Sequence, residues 1–340
     1  MTSKNYDIFI TTNESAMLYE CGFSCDNAIL FKHKDEGFFI TDSRYSLEAK
    51  EKSHKNIEVV ESSDLPKSLL KLAKNVKNII FDNTQISVDF YNQIKSLSLK
   101  PAPNFHQQKR IVKSDSEIAL IQKSQHFNKQ AFKKFAKFLS KNGKNRSEKN
   151  LHFYARKILE NSGDNALSFN LIVALNANAA KPHALPCDTP LKKGDLVLFD
   201  AGVKYKNYCS DMTRTAFFDK RLDFKKSQHF PQKMQKIYDI VLKAQEIAIK
   251  NARSGMKARE IDALARDFIA KKGYGANFTH SLGHGVGLDI HELPRISTKS
   301  EEIITDGMVF SIEPGIYLAG EFGIRIEDLV VMKNGRAEIL

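Results

Sequence analysis

The sequence predicts an α/β (α+β) protein with two domains. Three observations support this: the chain has 340 residues, a connection that contains proline lies near residue 100, and one order of elements occurs twice after that connection. A chain of this length usually needs more than one hydrophobic core. We therefore expect a smaller domain at residues 1–110 and a larger domain at residues 111–340.

The first domain is expected to alternate short strands and helices. Residues 38–45 form an apolar run that leads into a helix start, and residues 64–74 have helical spacing of their apolar side chains. Residues 78–82 are typical of a strand. Residues 99–104 contain two prolines and no apolar period, so we interpret them as a connection between the domains.

The second domain shows two helices followed by a strand hairpin, and this pattern occurs twice. The two copies share negligible sequence identity, so only the order of elements repeats. The predicted helices are residues 116–140, 147–161, 232–253 and 258–271, and the predicted hairpin strands are 195–202 with 207–217 and 307–317 with 323–331. The basic segment 218–232 has no period and is interpreted as a surface loop.

Composition favours a globular protein without a nucleic-acid partner. The net charge is +12, but acidic residues interrupt the lysines and no stacking aromatic residues alternate with them. A lysine-rich solvated surface explains the charge better. No run of about 18 apolar residues and no export signal is present, so we predict no membrane segment, a cytoplasmic location and free thiols at the four cysteines.

Four acidic residues lie within apolar strands, two in each predicted hairpin: Asp200, Asp211, Glu313 and Glu327. A carboxylate is costly to bury, and several carboxylates in one site repel one another unless cations are present. The alternative is that the acids cap turns or face water, which suits one acid better than two pairs. The pattern therefore predicts a metal site, because carboxylates suit hard divalent ions.

A glycine-rich segment before the second hairpin, residues 279–294, contains His280, His284 and His291. Its glycines let the backbone approach a site closely, so this segment is expected to supply a histidine ligand. An imidazole added to carboxylates favours Mn, Co, Fe or Zn over Ca. His183 taken alone suits a site and a structural role equally well.

Strand alternation separates the polar residues around the last acid. Arg325 and Glu327 are two residues apart and share a strand face, whereas Asp328 points to the opposite face. We therefore exclude Asp328 from the ligands. An arginine beside a ligand carboxylate is expected to orient that carboxylate.

From about residue 111 onward, the chain resembles the pita-bread metallopeptidases, which include methionine aminopeptidase, prolidase and Xaa-Pro aminopeptidase (aminopeptidase P). Residues 280–292 fit the proline-peptidase signature at every defining position. The other matching blocks are residues 198–202, 210–214, 311–315 and 323–328. The resemblance implies a C-terminal pita-bread catalytic domain with a pseudo-twofold repeat, which accounts for the recurring pattern of helices and hairpins.

The resemblance also implies roles for individual residues. Five positions match the family's metal ligands: Asp200 on one ion, His284 and Glu313 on the other, and Asp211 and Glu327 as bridges between the two. The positions that match its catalytic and substrate-binding residues are His183, His280, His291, Glu313 and Arg325. Two divalent ions, Mn foremost with Co or Zn as alternatives, are expected to activate a water that attacks the carbonyl before proline.

Residues 1–110 resemble, more loosely, the creatinase/prolidase-type N-terminal domain of aminopeptidase P and prolidase, through residues 19–23 and 41–45. The second of these stretches is more typical of aminopeptidase P. We therefore expect cleavage of the Xaa-Pro bond at peptide N-termini, with peptides carrying proline at the second position as substrates. The alternatives are an Xaa-Pro dipeptidase (prolidase), then a methionine aminopeptidase or a non-catalytic pita-bread binding protein. A homodimer is expected because relatives are commonly dimers.

Overall fold

The protein is described from a computed structural model, which covers residues 6–219, 222–225 and 228–340. The predicted loop at 218–232 therefore lies partly outside the described residues. The chain divides into two units, Met1–Lys109 and Arg110–Leu340. In the part that is described, no helix combines the length and the apolar character needed to cross a membrane.

The first unit is built on a mixed six-stranded sheet. Its strands are β1 (Ile8–Thr11), β2 (Ala28–His33), β3 (Glu36–Thr41), β4 (Ile57–Glu61), β5 (Ile79–Phe81) and β6 (Leu99–Pro101). They lie in the order β4-β3-β2-β1-β5-β6, with β1–β2 and β2–β3 antiparallel and the other pairs parallel. The helices are α1 (Glu14–Cys21), α2 (Ser46–Lys52), α3 (Leu65–Leu72), α4 (Val88–Ile94) and α5 (Phe105–Arg110).

Both faces of this sheet carry apolar cores. Successive residues of a strand point to opposite faces, and Phe9 and Phe39 enter one buried cluster while Ile10 and Ile40 enter another. A sheet with two apolar faces must be covered on both sides. This explains the near-continuous apolar runs that the sequence shows at β1 and β3.

The prediction that residues 99–104 only connect the domains is wrong for residues 99–101. These residues form β6, which pairs in parallel with β5 through Ile79 opposite Leu99 and Phe81 opposite Pro101. Proline lacks a backbone N–H, so it is tolerated in a strand at the edge of a sheet. Because β6 is an edge strand, Pro101 does not prevent pairing.

The second unit contains two helix pairs, and each is followed by strands. The helices are α6 (Asp115–Phe138), α7 (Glu148–Glu160), α8 (Gln232–Asn251) and α9 (Ala258–Lys271). The strands after α7 are β7 (Ala166–Leu167), β8 (Ile172–Leu175), β9 (Leu196–Ala201), β10 (Val203–Tyr205), β11 (Tyr208–Cys209) and β12 (Met212–Phe217). The strands after α9 are β13 (Gly283–Gly285), β14 (Glu292–Ile296), β15 (Val309–Ile312), β16 (Gly315–Leu318), β17 (Phe322–Arg325), β18 (Asp328–Lys333) and β19 (Arg336–Ile339).

These strands form two groups that follow the predicted repeat. The first repeat has the sheets β11-β10-β7 and β12-β9-β8, and the second has β14-β13-β15-β18-β19 and β16-β17. In each repeat the central hairpin pairs antiparallel, β9 with β12 and β15 with β18. The structure thus confirms the predicted α/β (α+β) class.

Helix α6 holds the two acid-bearing strands of the first repeat through polar side chains on its buried face. A capping box formed by Ser114 and Glu117 starts the helix. About three turns after Ser114, the Gln125 side chain donates to the carbonyl of Asp211 at 3.0 Å and accepts from its N–H at 3.2 Å. The Asn128 amide donates to the carbonyl of Ala201 at 2.7 Å. Asp200 and Asp211 therefore lie on backbone that is tied to one helix.

Helix α8 does the same for the second repeat. The Gln245 amide group contacts the carbonyls of Ile312 and Ile326 at 3.1 and 3.2 Å. These carbonyls immediately precede Glu313 and Glu327. Both repeats thus use a buried helix glutamine to hold the backbone beside the acids, although the two sequences are not alike.

The second predicted hairpin is interrupted at its acids. Glu313 lies between β15 and β16, and Glu327 lies between β17 and β18. Pro314 supplies no N–H to a strand ladder and follows Glu313 directly. The acids of the second repeat therefore sit at strand ends rather than inside strands.

Candidate active site

All nine site residues predicted from the sequence line one cavity of about 560 Å³ in the second unit. They are His183, Asp200, Asp211, His280, His284, His291, Glu313, Arg325 and Glu327. They come from four parts of the chain that span about 145 residues of sequence, from His183 to Glu327. The fold therefore brings together the acids of both repeats and the histidine segment.

Three of the acids hold buried oxygen atoms that lack partners. Asp200 Oδ1, Asp211 Oδ1 and Glu327 Oε1 have no hydrogen-bond partner among the described residues. Leaving a buried charged acceptor unpaired is costly. Such a group of unpaired oxygens fits a site for cations.

Burial raises the pKa of Asp211, Glu313 and Glu327. For Asp211 and Glu327 the neighbouring carboxylates add to the effect of burial, and both pKa values lie well above the usual range. The pKa of Glu313 rises to about 8, chiefly through burial. Without a cation, these acids repel one another and resist ionisation.

His284 presents a ring nitrogen to two of these acids. Its Nδ1 lies 3.2 Å from the carbonyl of Gly285, which can only accept, so Nδ1 carries the hydrogen. Burial, with a contribution from His291, lowers the His284 pKa to about 3, so the ring is neutral at pH 7. The lone pair on Nε2 then faces Asp211 Oδ2 at 3.7 Å and Glu313 Oε1 at 3.4 Å. A lone pair beside two ionised carboxylates is repulsive unless a cation lies between them.

The donor set therefore fits divalent metal. Asp211, His284 and Glu327 each offer one ligand atom, and these atoms lie within 4.8 Å of one another. Glu313 is adjacent to His284, and Asp200 shares the cavity. Carboxylate oxygens with one neutral imidazole are the ligands of first-row divalent ions in hydrolases.

Gly283 permits the approach that orients Glu313. A Cβ at this position would lie 1.9 Å from the carbonyl oxygen of Ser311, so only glycine fits. The close approach lets Ser311 Oγ accept from the His284 N–H at 3.1 Å and donate to Glu313 Oε1 at 3.2 Å. One serine thus links the histidine and the acid.

Arg325 connects residues of both repeats. Its guanidinium donates to Asp200 Oδ2 at 2.7 Å and to Thr213 Oγ1 at 3.1 Å. Thr213 Oγ1 in turn donates to Glu327 Oε2 at 2.7 Å. The arginine expected to lie beside Glu327 therefore contacts Asp200 directly and reaches Glu327 through Thr213.

The three remaining histidines differ in their surroundings. The Nδ1 of His280 lies 2.8 Å from the carbonyl of Ser281, and its Nε2 lies 2.8 Å from the Tyr317 hydroxyl, so both nitrogens are engaged. Burial lowers the His280 pKa to about 3. His183 and His291 are exposed at the cavity wall. Partial desolvation of the His291 ring within the cavity, with a contribution from His183, lowers the pKa of His291.

Asp328 is not part of the cavity wall. Its carboxylate pairs with Arg214 at 2.5 Å and with Gln245 at 3.2 Å, away from the other acids. These contacts agree with the exclusion of Asp328 from the ligands, although strand alternation does not apply here, because β17 ends at Arg325 and Glu327 lies between β17 and β18.

Several residues of the site were not named from the sequence. Thr213 could have been found by alternation, because the strand predicted at residues 207–217 puts it on the same face as Asp211. Tyr317 hydrogen-bonds both His280 and Arg325, but no sequence signal marked it. Arg295 lines the cavity and lies four residues after His291, where sequence alone offers no reason to prefer it over other surface arginines.

A repeated helix-and-hairpin domain around a carboxylate-rich metal site is what defines pita-bread metallohydrolases as a class. The model of metallopeptidase family M24 matches residues 119–334, and that of the creatinase/prolidase N-terminal domain matches residues 1–114. The chain belongs to metallopeptidase family M24. The family resemblance and the pita-bread fold expected from the sequence are confirmed.

Similar proteins cover nearly the whole chain. A curated relative, the Xaa-Pro dipeptidase of Pyrococcus horikoshii, is 31% identical over 98% of this chain and 93% of its own length. Among solved structures, the Xaa-Pro dipeptidase from Bacillus anthracis matches with a TM-score of 0.88 at 31% identity, over 98% of this chain and 92% of that one. The X-Pro aminopeptidase from Thermotoga maritima matches with a TM-score of 0.85 at 31% identity, over 98% and 95%.

Proposed function

We propose that this protein is a metal-dependent Xaa-Pro dipeptidase (prolidase). The sequence alone favoured an Xaa-Pro aminopeptidase, with the dipeptidase as its alternative. Relatives and solved structures described as Xaa-Pro dipeptidases or prolidases support the alternative better. The observation that carries the proposal is the position of Arg295 on the cavity wall.

A dipeptide substrate places a free carboxylate within a few atoms of its scissile bond, whereas a longer peptide has an amide there. Arg295 is exposed on the cavity wall, and among the described residues its side chain has no hydrogen bond or ion pair. Arg325 is fully engaged by Asp200, Thr213, Tyr317 and the carbonyl of Pro182. Arg295 is therefore available to bind the substrate carboxylate by charge-assisted hydrogen bonds.

The ligand set proposed for the metal is Asp200, Asp211, His284, Glu313 and Glu327. We propose that these residues would hold two divalent ions, with Asp211 and Glu327 in the bridging positions that the family resemblance implies. Each of these two acids keeps one buried oxygen without a hydrogen-bond partner among the described residues. The oxygen-rich set with one imidazole favours Mn, with Co or Zn as alternatives. When bound, such ions lower the pKa of a water nucleophile and polarise the scissile carbonyl.

The residues of the chain supply orientation and proton transfer. Glu313, held by Ser311, is placed to pass a proton from the attacking water to the leaving proline nitrogen. His183 and His291, exposed in the cavity, are available to hydrogen-bond the reacting carbonyl group as it becomes tetrahedral. Arg325 keeps the Asp200 carboxylate oriented. The homodimer and the cytoplasmic location remain predictions.

Selectivity for proline follows from the missing N–H of the Xaa-Pro bond. The Xaa-Pro bond is a tertiary amide without an N–H, so a site cannot recognise it by accepting that hydrogen bond. Phe169, Ile172 and Ile290 line the cavity and offer apolar contact to the pyrrolidine ring. We propose that shape and apolar contact, rather than hydrogen bonding, select proline here.

The test compares Ala-Pro, Ala-Pro-amide and Ala-Pro-Ala as substrates with Mn²⁺ added. We expect the parent protein to prefer Ala-Pro, and Arg295→Met to lower kcat/KM for Ala-Pro by roughly 10- to 100-fold, mainly through KM, since a charge-assisted hydrogen bond is lost. The same substitution should leave Ala-Pro-amide almost unaffected. Arg156→Met, which removes an exposed arginine paired with Glu160, is the matched control. Faster turnover of Ala-Pro-Ala than of Ala-Pro would restore the aminopeptidase assignment.

A further inference from the structure

A buried ionic cluster joins residues 110–113 to the end of the histidine segment, residues 279–294, but does not line the cavity. Lys113 Nζ pairs with Glu292 Oε1 at 2.7 Å, and Arg110 Nη2 pairs with Asp289 Oδ2 at 2.7 Å and with Glu292 Oε2 at 3.4 Å. The side chains of Lys113 and Glu292 are each 1% exposed and that of Arg110 is 2% exposed. The metal site and the proposed substrate contacts use none of these four residues.

Stability alone is a weak explanation for this cluster. Removing charges from water costs several kcal/mol per ion, and well-packed apolar side chains of similar size often stabilise a core as well. The guanidinium atoms Nε and Nη1 of Arg110 lack hydrogen-bond partners among the described residues, so the cluster does not satisfy all its own polar groups. A cluster of this kind is better explained by the geometry that it imposes on its surroundings.

The carboxylate of Glu292 contacts the short loop, residues 287–291, that leads to His291. The Glu292 carboxylate accepts from the N–H of Asp289 at 3.3 Å, and a Cβ on Gly287 would lie 2.4 Å from Glu292 Oε1. The Gly287 carbonyl also accepts from the N–H of Cys209 at 2.8 Å. The loop from Gly287 to His291 therefore folds around a carboxylate whose position Lys113 and Arg110 determine.

His291 depends on this loop more than the other histidines do. The ring of His280 is held by Ser281 and Tyr317, and the ring of His284 by Gly285. No hydrogen bond to the His291 ring occurs among the described residues. In the described part of the chain, its one aromatic ring contact is with His284, at 4.3 Å between centroids. The position of His291 is thus set by its backbone, which is covalently joined to Glu292.

We propose that Glu292, held by Lys113 and Arg110, is a positioning residue that sets the location of His291 in the active site. This inference rests on the substrate role that the proposed function gives to His291. The ionic cluster thereby replaces the hydrogen bond that the His291 ring lacks. The basic residues of the cluster belong to residues 110–113, about 180 positions before Glu292 in the sequence.

Gly287→Ala displaces the carboxylate without removing any charge. Gly287 has no positive φ, and the three atoms nearest to an added Cβ all belong to the Glu292 carboxylate, so alanine acts first on that carboxylate. We expect kcat for Ala-Pro to fall by about 10-fold or more, because small misplacements of catalytic groups cost that much. Bound metal and KM should stay within about twofold of the parent values, whereas general structural damage would change all three. In Gly287→Ala/Glu292→Asp the shorter acid vacates the contact, and part of the rate should return.

A double-mutant cycle with His291→Ala decides whether the cluster acts through His291. If it does, Gly287→Ala slows the parent protein but adds less than about a twofold effect to His291→Ala. If Gly287→Ala does not fold, Glu292→Asp replaces it in the double-mutant cycle with His291→Ala. Gly143→Ala is the matched glycine control and should leave kcat unchanged. Its Cβ would lie 3.1 Å from the Leu191 side chain, and neither residue lines the cavity.

The outcomes separate this inference from the proposed function. If His291→Ala is slow and Gly287→Ala slows it further by the same factor as in the parent, the positioning role is wrong and the proposed function stands. If His291→Ala turns over Ala-Pro as fast as the parent, the substrate role of His291 is wrong, and the positioning role falls with it. Equal losses of kcat and bound metal in Gly287→Ala would assign the cluster to metal retention instead.

Discussion

The two repeats of the second unit solve the same problem with different means. Each must hold two acids next to one another, and each does so with a buried glutamine, Gln125 on α6 and Gln245 on α8. The first repeat presents its acids on or beside continuous strands. The second repeat presents them at strand ends and adds the histidine segment. The first repeat therefore contributes charge alone, whereas the second contributes charge, an imidazole and the candidate proton carrier.

The largest expected effect on turnover and metal content comes from replacing Asp211 or Glu327, the proposed bridging acid of each repeat. Asp211→Ala and Glu327→Ala should each abolish Ala-Pro turnover and metal retention, because each removes one of the proposed bridging carboxylates. If the repeats are equivalent at the metal site, the two variants should fail to the same degree. The checks are metal content of the purified protein and turnover with Mn²⁺ added.

Substitution of Asp328, a buried acid that we exclude from the metal ligands, is the control for these two variants. Asp328→Asn changes a buried carboxylate next to Glu327 that is bound to Arg214 and Gln245 rather than to the cavity. It should destabilise the fold while the remaining folded protein keeps its metal. Normal metal content and rate in Asp211→Ala or Glu327→Ala would contradict the bridging assignment.

The helix glutamines provide the second comparison. Gln125→Leu leaves the carbonyl and N–H of Asp211 unpaired, and Gln245→Leu leaves the carbonyls of Ile312 and Ile326 unpaired. Each unsatisfied buried group costs about 1–3 kcal/mol, so both variants should lose stability on that scale. Gln245 also contacts Asp328, so its replacement should cost more.

Denaturant unfolding of the metal-free protein measures these losses. Gln130→Leu changes an exposed glutamine of the same helix α6 and should alter stability by less than about 0.5 kcal/mol. Gln125→Leu and Gln245→Leu should also bind metal more weakly, because the backbone beside the ligands loses the hydrogen bonds that hold it. Unchanged stability in Gln245→Leu would mean that the two repeats are held in different ways.

The same comparison shows what could be predicted from sequence. Asp200 and Asp211 stood out because a carboxylate inside an apolar strand is costly without a cation, and this reasoning needs no structure. The glutamines could not be identified, because a polar residue on an amphipathic helix looks the same whether it is exposed or buried. Their partners lie about 70–85 residues away in sequence.

The second repeat was harder to predict than the first for a physical reason. Alternation applies only while a strand continues, and the breaks at Glu313 and Glu327 end it. Tyr317 lies beyond the first break, so no parity argument could place it against His280. The contacts of Arg110 and Lys113 with Glu292 depend on chain segments that only the tertiary fold brings together.

The smallest expected effect is a pH dependence of stability in the metal-free protein. Glu313, Asp211 and Glu327 have pKa values above the usual range, with Glu313 at about 8, so the folded state holds protons that the unfolded state has lost. Stability from these acids is therefore lost as pH rises toward 8. The pKa values of His280 and His284 are lowered to about 3, so the stability that these histidines contribute is lost as pH falls below 6.5. Above pH 6.5 these histidines no longer contribute. The pKa values of the buried thiols Cys21, Cys25 and Cys209 are raised from 9.0, so they add to the loss only at the alkaline end of the interval.

The Tm of the protein with chelator present should thus fall between pH 6.5 and 8.5, by roughly 2–4 °C for each kcal/mol lost. Saturating Mn²⁺ should abolish the fall, since a metal bound only by the folded state stabilises it and neutralises the acids. Glu313→Gln removes one raised pKa and should flatten the slope, whereas Glu338→Gln, at an exposed acid of β19, should not. A Tm that rises through this interval would mean that the carboxylates of the two repeats do not share one low-dielectric site.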